Sequence, residues 1–151
     1  MKRIIQKENG NISVIHPAPK SRLENETEAE WLDRVFTRAT PDGAVFSDVD
    51  DAQIPSDRSF RNAWEIKDKK VNTNFLKAQG ITKERLRAER TPLLKELDID
   101  YMRAVEQGID TADIISEKER LRDITLMADT TTTLDNLKNL NCVKADIQIE
   151  K

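Results

Sequence analysis

The two halves of this chain carry different residue patterns, and that contrast most constrains its fold. Residues 74–107 are rich in Leu, Ala, Arg, Lys and Glu, all good helix formers, and contain one glycine and one proline. Residues 1–70 instead contain short apolar runs bounded by Gly, Pro, Asn and Asp, as strands and turns do. Strands followed by helices predict an α+β protein.

The Asn9-Gly10 pair predicts a β-hairpin at the start of the chain. Residues 3–7 and 12–16 have strand patterns on either side of it. Asn-Gly tolerates the positive φ angles that a type I′ turn requires, so we expect this two-residue turn. Pro17 ends the second strand, because proline cannot donate a hydrogen bond to a sheet.

One helix and two further strands complete the predicted N-terminal unit. Thr27 and Glu30 have the Thr-x-x-Glu spacing of a capping box, which marks the start of a helix. Residues 44–49 and 62–67 have strand patterns. The sequence therefore predicts a small, β-rich ββαββ-like unit over residues 1–70.

A helical hairpin is predicted over residues 71–128. The first helix has an apolar stripe formed by Leu86, Leu93, Leu97, Tyr101 and Ala104. Gly108 suits the position after a helix, and Asp110 or Thr111 would cap a second helix. The core side of that helix is formed by Ile114, Leu121 and Ile124. Pro92 indicates either a kink in the first helix or a new helix start capped by Thr91.

Residues 129–151 are predicted to form a short C-terminal tail. Asp129 and the four threonines after it end the second helix, and Leu134, Leu137 and Leu140 favour one more short helical turn. Residues 143–149 alternate apolar and polar side chains, which is a strand pattern.

Composition argues against several classes of function. The net charge of −3 and the pI of about 5.3 do not suggest a nucleic-acid-binding protein. No run approaches the roughly 18 apolar residues of a membrane span, and the basic start lacks the apolar stretch of a signal peptide. Because Cys142 is the sole cysteine, an internal disulfide is excluded.

Catalytic and metal-binding patterns are also missing from the sequence. His16 is the sole histidine, no Gly-x-Ser-x-Gly motif frames a serine, and Cys142 is interpreted as a small buried hydrophobe. Asp48, Asp50 and Asp51 lack the Gly and Glu that a calcium-binding loop starting at Asp48 would need. We therefore expect no enzyme activity, no cofactor and no metal.

Four large side chains between residues 58 and 64 form the best candidate site, for binding a protein: Arg58, Phe60, Arg61 and Trp64. Trp and Arg dominate the energetics of protein interfaces. The alternative is that Phe60 and Trp64 only complete the N-terminal core. In a strand, Phe60, Asn62 and Trp64 would share one face and Arg61 would lie opposite.

Three parts of the chain resemble small proteins encoded in the tail region of tailed bacteriophages. They are the N-terminal strands ending in Val14-Ile15-His16-Pro17-Ala18-Pro19, the segment of residues 54–65, and helical stretches at 83–106 and 121–125. The motif from Arg58 to Trp64 is the specific part. The resemblance covers most of residues 1–125, whereas the sequence after about residue 129 departs from it.

The resemblance implies a place among tail or tail-fibre components and their assembly factors, and it implies no catalytic residues. We expect a non-enzymatic protein-binding role in phage tail or tail-fibre assembly, as a structural accessory or an assembly chaperone. The expected partner is a tail or tail-fibre protein, met in the host cytoplasm during assembly or in the virion tail. A second copy of the chain is a further candidate partner. The alternative functions are a cytoplasmic phage regulator that binds a host protein and a small hydrolase.

Overall fold

A computed structural model describes residues 1–143 and residue 145. In chain order the elements are β1 (Lys2–Gln6), β2 (Ile12–Ile15), α1 (Glu28–Ala39), β3 (Val45–Val49), β4 (Trp64–Lys67), β5 (Lys70–Thr73), α2 (Phe75–Gln107), α3 (Ala112–Thr130) and α4 (Leu134–Asn139). Antiparallel strands precede long helices, so the α+β prediction is confirmed. The chain forms two compact units, one from Met1 to Phe75 and one from Leu76 onward.

The first unit is built around β1, which pairs antiparallel with both β2 and β3. Ile4 and Ile5 are adjacent in β1 and both are buried, so the sheet is covered on both faces. On the Ile4 face the core consists of Ile4, Ile12, Val49, Trp64 and Val71. On the other face the Arg3 guanidinium lies 4.7 Å from the ring centroid of Phe36 in α1. The β4–β5 hairpin and α1 therefore lie on opposite sides of this sheet.

The hairpin at Asn9-Gly10 is confirmed, but its predicted turn type is wrong. Gly10 has a φ of 77°, whereas Asn9 is not among the residues with positive φ. The Gly10 N–H donates to the Lys7 carbonyl at 2.8 Å, and the Lys7 N–H donates to the Asn11 carbonyl at 2.8 Å. The connection is a longer loop in which glycine alone adopts the left-handed conformation, as three- to five-residue hairpin loops commonly do.

The β4–β5 hairpin has the two-residue turn that was expected in the first hairpin. Lys67 pairs with Lys70, and Asp68 and Lys69 between them have φ angles of 53° and 59°. The sequence prediction missed β5, because Asp-Lys carries no glycine to mark a turn with two positive φ angles. A left-handed conformation costs a lysine about 1–2 kcal/mol.

We predict that Lys69→Gly stabilises the first unit by about 0.5–1 kcal/mol, because glycine adopts positive φ without that steric cost. The matched control is Lys70→Gly, which places glycine in an extended strand and should destabilise by a similar amount. The free energy of unfolding from chemical denaturation checks both variants. Equal effects at the two positions would contradict the strained turn.

The second unit contains the predicted helical hairpin. The connection after α2 is a Schellman motif, in which the Gly108 N–H donates to Val105 at 3.2 Å and the Ile109 N–H donates to Ala104 at 2.9 Å. Leu97 and Ala104 pack with Ile114 and Leu121 in one core cluster. The predicted core side of α3 is confirmed, since Ile114, Leu121 and Ile124 are all buried.

Cross-helix contacts fix the antiparallel pairing. Lys83 forms an ion pair with Asp129 near one end of the hairpin, and Lys118 forms one with Asp98 at 2.7 Å closer to the connection. Gln79 donates to the Ala128 carbonyl at 3.0 Å.

Among the described residues, no helix combines the length and the apolar character that a membrane crossing needs.

Pro92 neither ends α2 nor starts a new helix, so the prediction of a new start is wrong. The helix continues from Phe75 to Gln107 with Pro92 inside it. The Thr91 hydroxyl donates to the Arg87 carbonyl at 2.7 Å, within the helix, instead of capping a new one. Packing against α3 offsets the roughly 3 kcal/mol that an internal proline costs.

The predicted short helix after the threonines is confirmed as α4. The Thr133 side chain accepts from the Asn136 N–H at 3.2 Å, which caps the helix. Of the strand predicted over residues 143–149, residues 143 and 145 are described and lie outside any regular element. The remaining positions of that prediction lie outside the described residues.

Candidate protein-binding site

Three of the four predicted site residues lie on a loop whose two ends are anchored in the core of the first unit. We call residues 55–63 the arginine loop. Ile54 packs against the core before the loop, and Trp64, only 1% exposed, lies in the core after it. Arg58 and Arg61 are exposed between these two anchors. The loop is therefore held at both ends and presents two guanidinium groups to solvent.

Internal hydrogen bonds also order the arginine loop. Asp57 Oδ1 accepts from the Ser59 N–H at 2.9 Å and from the Ser59 hydroxyl at 2.6 Å. The Arg61 N–H donates to the Arg58 carbonyl at 3.0 Å, which closes a turn between the two arginines. A loop that is ordered before binding loses less conformational entropy when a partner binds.

Residues 60–63 are not part of a strand, so the predicted strand arrangement of the site is wrong there. Arg61 to Ala63 form a 3₁₀ turn, and the strand begins at Trp64. The Ala63 N–H donates to the Phe60 carbonyl at 2.8 Å, and its carbonyl accepts from the Asn74 N–H at 2.8 Å. Asn62 is consequently exposed, whereas a strand would have placed it with Trp64 on the core face.

The two aromatic residues of the site have different surroundings. Trp64 is buried, so it acts on a partner only through the loop position that it fixes. Its indole Nε1 has no hydrogen-bond partner in the described part of the chain. Phe60 is half-buried at the base of the 3₁₀ turn. Arg58 and Arg61 are thus the side chains of the set that a partner can reach directly.

His16 reports on the electrostatics around the arginine loop. Partial burial lowers the pKa of His16 below its ordinary value of 6.5, and so do the positive charges of Lys2, Arg58 and Arg61. Asp51 acts in the opposite direction, but Lys2 Nζ forms an ion pair with it at 2.9 Å. Arg58 and Arg61 therefore lie near enough to His16 for their charges to disfavour its imidazolium.

Sequence reasoning did not connect Lys2 and His16 with the arginine loop. Both residues belong to the first hairpin, some forty residues or more away along the chain from Arg58. The connection follows from the packing of β4 beside β1 and β2. No local pattern in the sequence indicates that packing.

Two of the three aspartates in the cluster of Asp48, Asp50 and Asp51 form ion pairs. Asp48 accepts two hydrogen bonds from the Arg3 guanidinium, at 2.7 and 2.8 Å. Asp51 pairs with Lys2, as described above, and the Asp50 N–H donates to Gln53 Oε1 at 2.8 Å. Over residues 1–143 and 145, no three His, Cys, Asp or Glu side chains are placed to share an ion.

Cys142 lies in the second unit, where it is half-buried and its thiol donates to the Leu86 carbonyl at 3.4 Å. Burial raises the pKa of the Cys142 thiol, and the nearby Glu89 carboxylate raises it further. A nucleophilic cysteine needs a lowered pKa, so its surroundings do not activate this thiol.

No protein-family model matches the chain, and neither a curated protein nor a solved structure matches it significantly.

We predict that the His16 imidazole titrates below pH 6.5 and that Arg58→Ala raises its midpoint, because a nearby positive charge disfavours the imidazolium. His16 is the sole histidine, so its NMR signals are unambiguous. The control is Arg38→Ala, which removes an exposed arginine from α1 on the other side of the sheet. A midpoint unmoved by Arg58→Ala, or moved equally by both variants, would contradict the effect of the Arg58 charge on His16.

We predict that Trp64→Ala destabilises the first unit by about 3–5 kcal/mol, the usual cost of removing a large buried side chain. Trp64→Phe should cost clearly less, since it keeps an aromatic ring and removes an Nε1 without a recorded partner. Arg61→Ala should change the melting temperature little, because its side chain is exposed. Thermal melts of all three variants check that Trp64 anchors the fold and that Arg61 lies on the surface. Similar melts for Trp64→Ala and Arg61→Ala would refute it.

Proposed function

We propose that this protein is a non-enzymatic protein-binding component of phage tail or tail-fibre assembly, acting as a structural accessory or an assembly chaperone. The arginine loop carries the contact with its partner. The partner is a tail or tail-fibre protein that presents carboxylates to Arg58 and Arg61.

One observation carries this proposal: Arg58 and Arg61 are exposed on a loop that is anchored at both ends in a core. A guanidinium held in a defined position can form a two-pronged contact with a carboxylate. Such a contact is stronger than one between neutral groups, and it fixes the orientation of the partner. The His16 surroundings support an acidic partner, because Arg58 and Arg61 both act on His16 as positive charges, whereas Lys2 is paired with Asp51.

The phage context of the proposal rests on the resemblance of residues 1–125 to small tail-region proteins. The specific part of that resemblance, from Arg58 to Trp64, coincides with the arginine loop. The exposed arginine loop is therefore the surface that we propose for the contact. No part of the proposal requires a catalytic group.

The test uses the full chain with an affinity tag as bait in lysates of host cells infected with the phage that encodes it. We expect the parent to capture a tail or tail-fibre protein, identified by mass spectrometry. Arg61→Ala should reduce this capture roughly tenfold or more, since a hydrogen bond to a charged group contributes about 1.5–3 kcal/mol. Added salt should weaken the capture as well, because exposed charges are screened.

Arg38→Ala is the matched control, since it removes the same charge from an exposed position on α1. Capture that falls equally in both variants would mean that net charge, not the loop, binds the partner. Capture of a host regulatory protein in place of a tail protein would contradict the assembly role and favour a phage regulator. Equimolar presence in purified virions would distinguish a structural accessory from a chaperone.

A further inference from the structure

The end of the described chain is bound through its main chain by charged side chains of the second unit. After α4 ends at Asn139, residues 140–143 and 145 lie outside regular secondary structure, and Leu140 has the angles φ −63° and ψ 128°. Four main-chain groups of this segment are bound by side chains of α2 and α3. Each helix contributes one arginine and one glutamate, and Arg85 Nη2 also donates to the Leu137 and Lys138 carbonyls of α4, at 3.3 and 3.4 Å.

On the α2 side, the pair is Arg85 and Glu89. Arg85 Nη1 lies 3.1 Å from Glu89 Oε1, one helical turn along. Arg85 Nη2 donates to the Leu140 carbonyl at 2.6 Å, and Glu89 Oε2 accepts from the Cys142 N–H at 3.0 Å. The ion pair thus binds the carbonyl of one residue and the N–H of the residue two positions later.

On the α3 side, Glu117 and Arg120 repeat this arrangement. Arg120 donates twice to the Glu117 carboxylate, at 2.7 and 2.8 Å. Arg120 Nη2 donates to the Val143 carbonyl at 2.6 Å, and Glu117 Oε1 accepts from the Ala145 N–H at 2.9 Å. Glu117 is only 5% exposed, so this carboxylate is a built-in acceptor and not a solvated surface charge.

The two ion pairs bind different parts of the segment. The Arg85–Glu89 pair binds main-chain groups of Leu140 and Cys142, and the Glu117–Arg120 pair binds those of Val143 and Ala145. We call Arg85, Glu89, Glu117 and Arg120 the main-chain clamp.

The described side chains of the occupant differ in how closely the second unit holds them. Cys142 packs against the apolar cluster between α2 and α3, so a small apolar residue fits that position. The Val143 side chain is 66% exposed. Recognition of this kind resembles the addition of a strand to a sheet, in which main-chain bonds give affinity and one pocket gives selectivity.

We propose that the main-chain clamp is a binding site for an extended peptide, and that it exchanges its own residues 140–145 for the same residues of a second copy. The seated sequence already fits the site, and every clamp contact remains available to an identical segment from another molecule. The intramolecular segment has an effective concentration in the millimolar range, so exchange requires comparable concentrations of the competing segment. This inference is independent of the proposed function.

The test uses the wild-type chain and its single cysteine. The rate at which a thiol reagent modifies Cys142 reports release of the segment, because the thiol is half-buried while the segment is bound. The probe is a synthetic peptide of residues 139–146 with alanine in place of Cys142, which itself cannot react. We expect millimolar peptide to accelerate the modification several-fold, in a saturable manner, as it occupies the clamp and displaces the segment.

Two further peptides test the main-chain contacts. A peptide methylated on the nitrogen of Ala145 lacks the N–H that Glu117 accepts and should not accelerate the modification. A peptide with threonine in place of Val143 keeps every main-chain group and should act like the parent peptide. Equal acceleration by the methylated peptide would overturn the proposal, and so would an unchanged rate at millimolar concentrations of the parent peptide.

Discussion

The burial of Trp64 is the interaction on which the first unit depends. Its side chain lies in one cluster with residues from β1, β2, β3 and β5, and it joins the β4–β5 hairpin to the three-stranded sheet. An isolated two-stranded hairpin is marginally stable in water, so this hairpin needs that attachment. The arginine loop ends at the same residue. The position of Arg58 and Arg61 is therefore set by an apolar contact that a partner never touches.

The second unit combines an apolar core with charges that bind main-chain groups. Leu97 and Leu121 supply the core between α2 and α3, while the ion pairs of the main-chain clamp lie where the C-terminal segment passes. Exposed ion pairs contribute little to stability by themselves. Here each pair also binds a carbonyl and an N–H of the C-terminal segment, so its charges help to order that segment.

Sequence signals succeeded where the structure depends on neighbours along the chain. The capping box of Thr27 and Glu30, the glycine after α2 and the leucine stripe all act within a turn or two of helix. The turn at Asp68 and Lys69 was missed, since neither residue is a glycine or an asparagine and the pair therefore does not indicate two positive φ angles. For the sites, composition indicated Arg58 and Arg61 but not their proximity to His16. The spacing of Arg85 and Glu89 is that of an ordinary solvated ion pair. Their bonds to the main chain of Leu140 and Cys142 follow only from where the C-terminal segment lies in the structure.

The arginine loop and the main-chain clamp differ in how a partner would reach them. The loop is exposed and ordered, so the long-range attraction between its charges and an acidic surface would govern association. The clamp is occupied by the chain's own residues 140–145, so a competing segment must wait for their release or displace them. Binding at the loop should consequently be fast and sensitive to salt. Exchange at the clamp is limited by local opening, whose free energy is set by the four main-chain hydrogen bonds and the packing of Cys142.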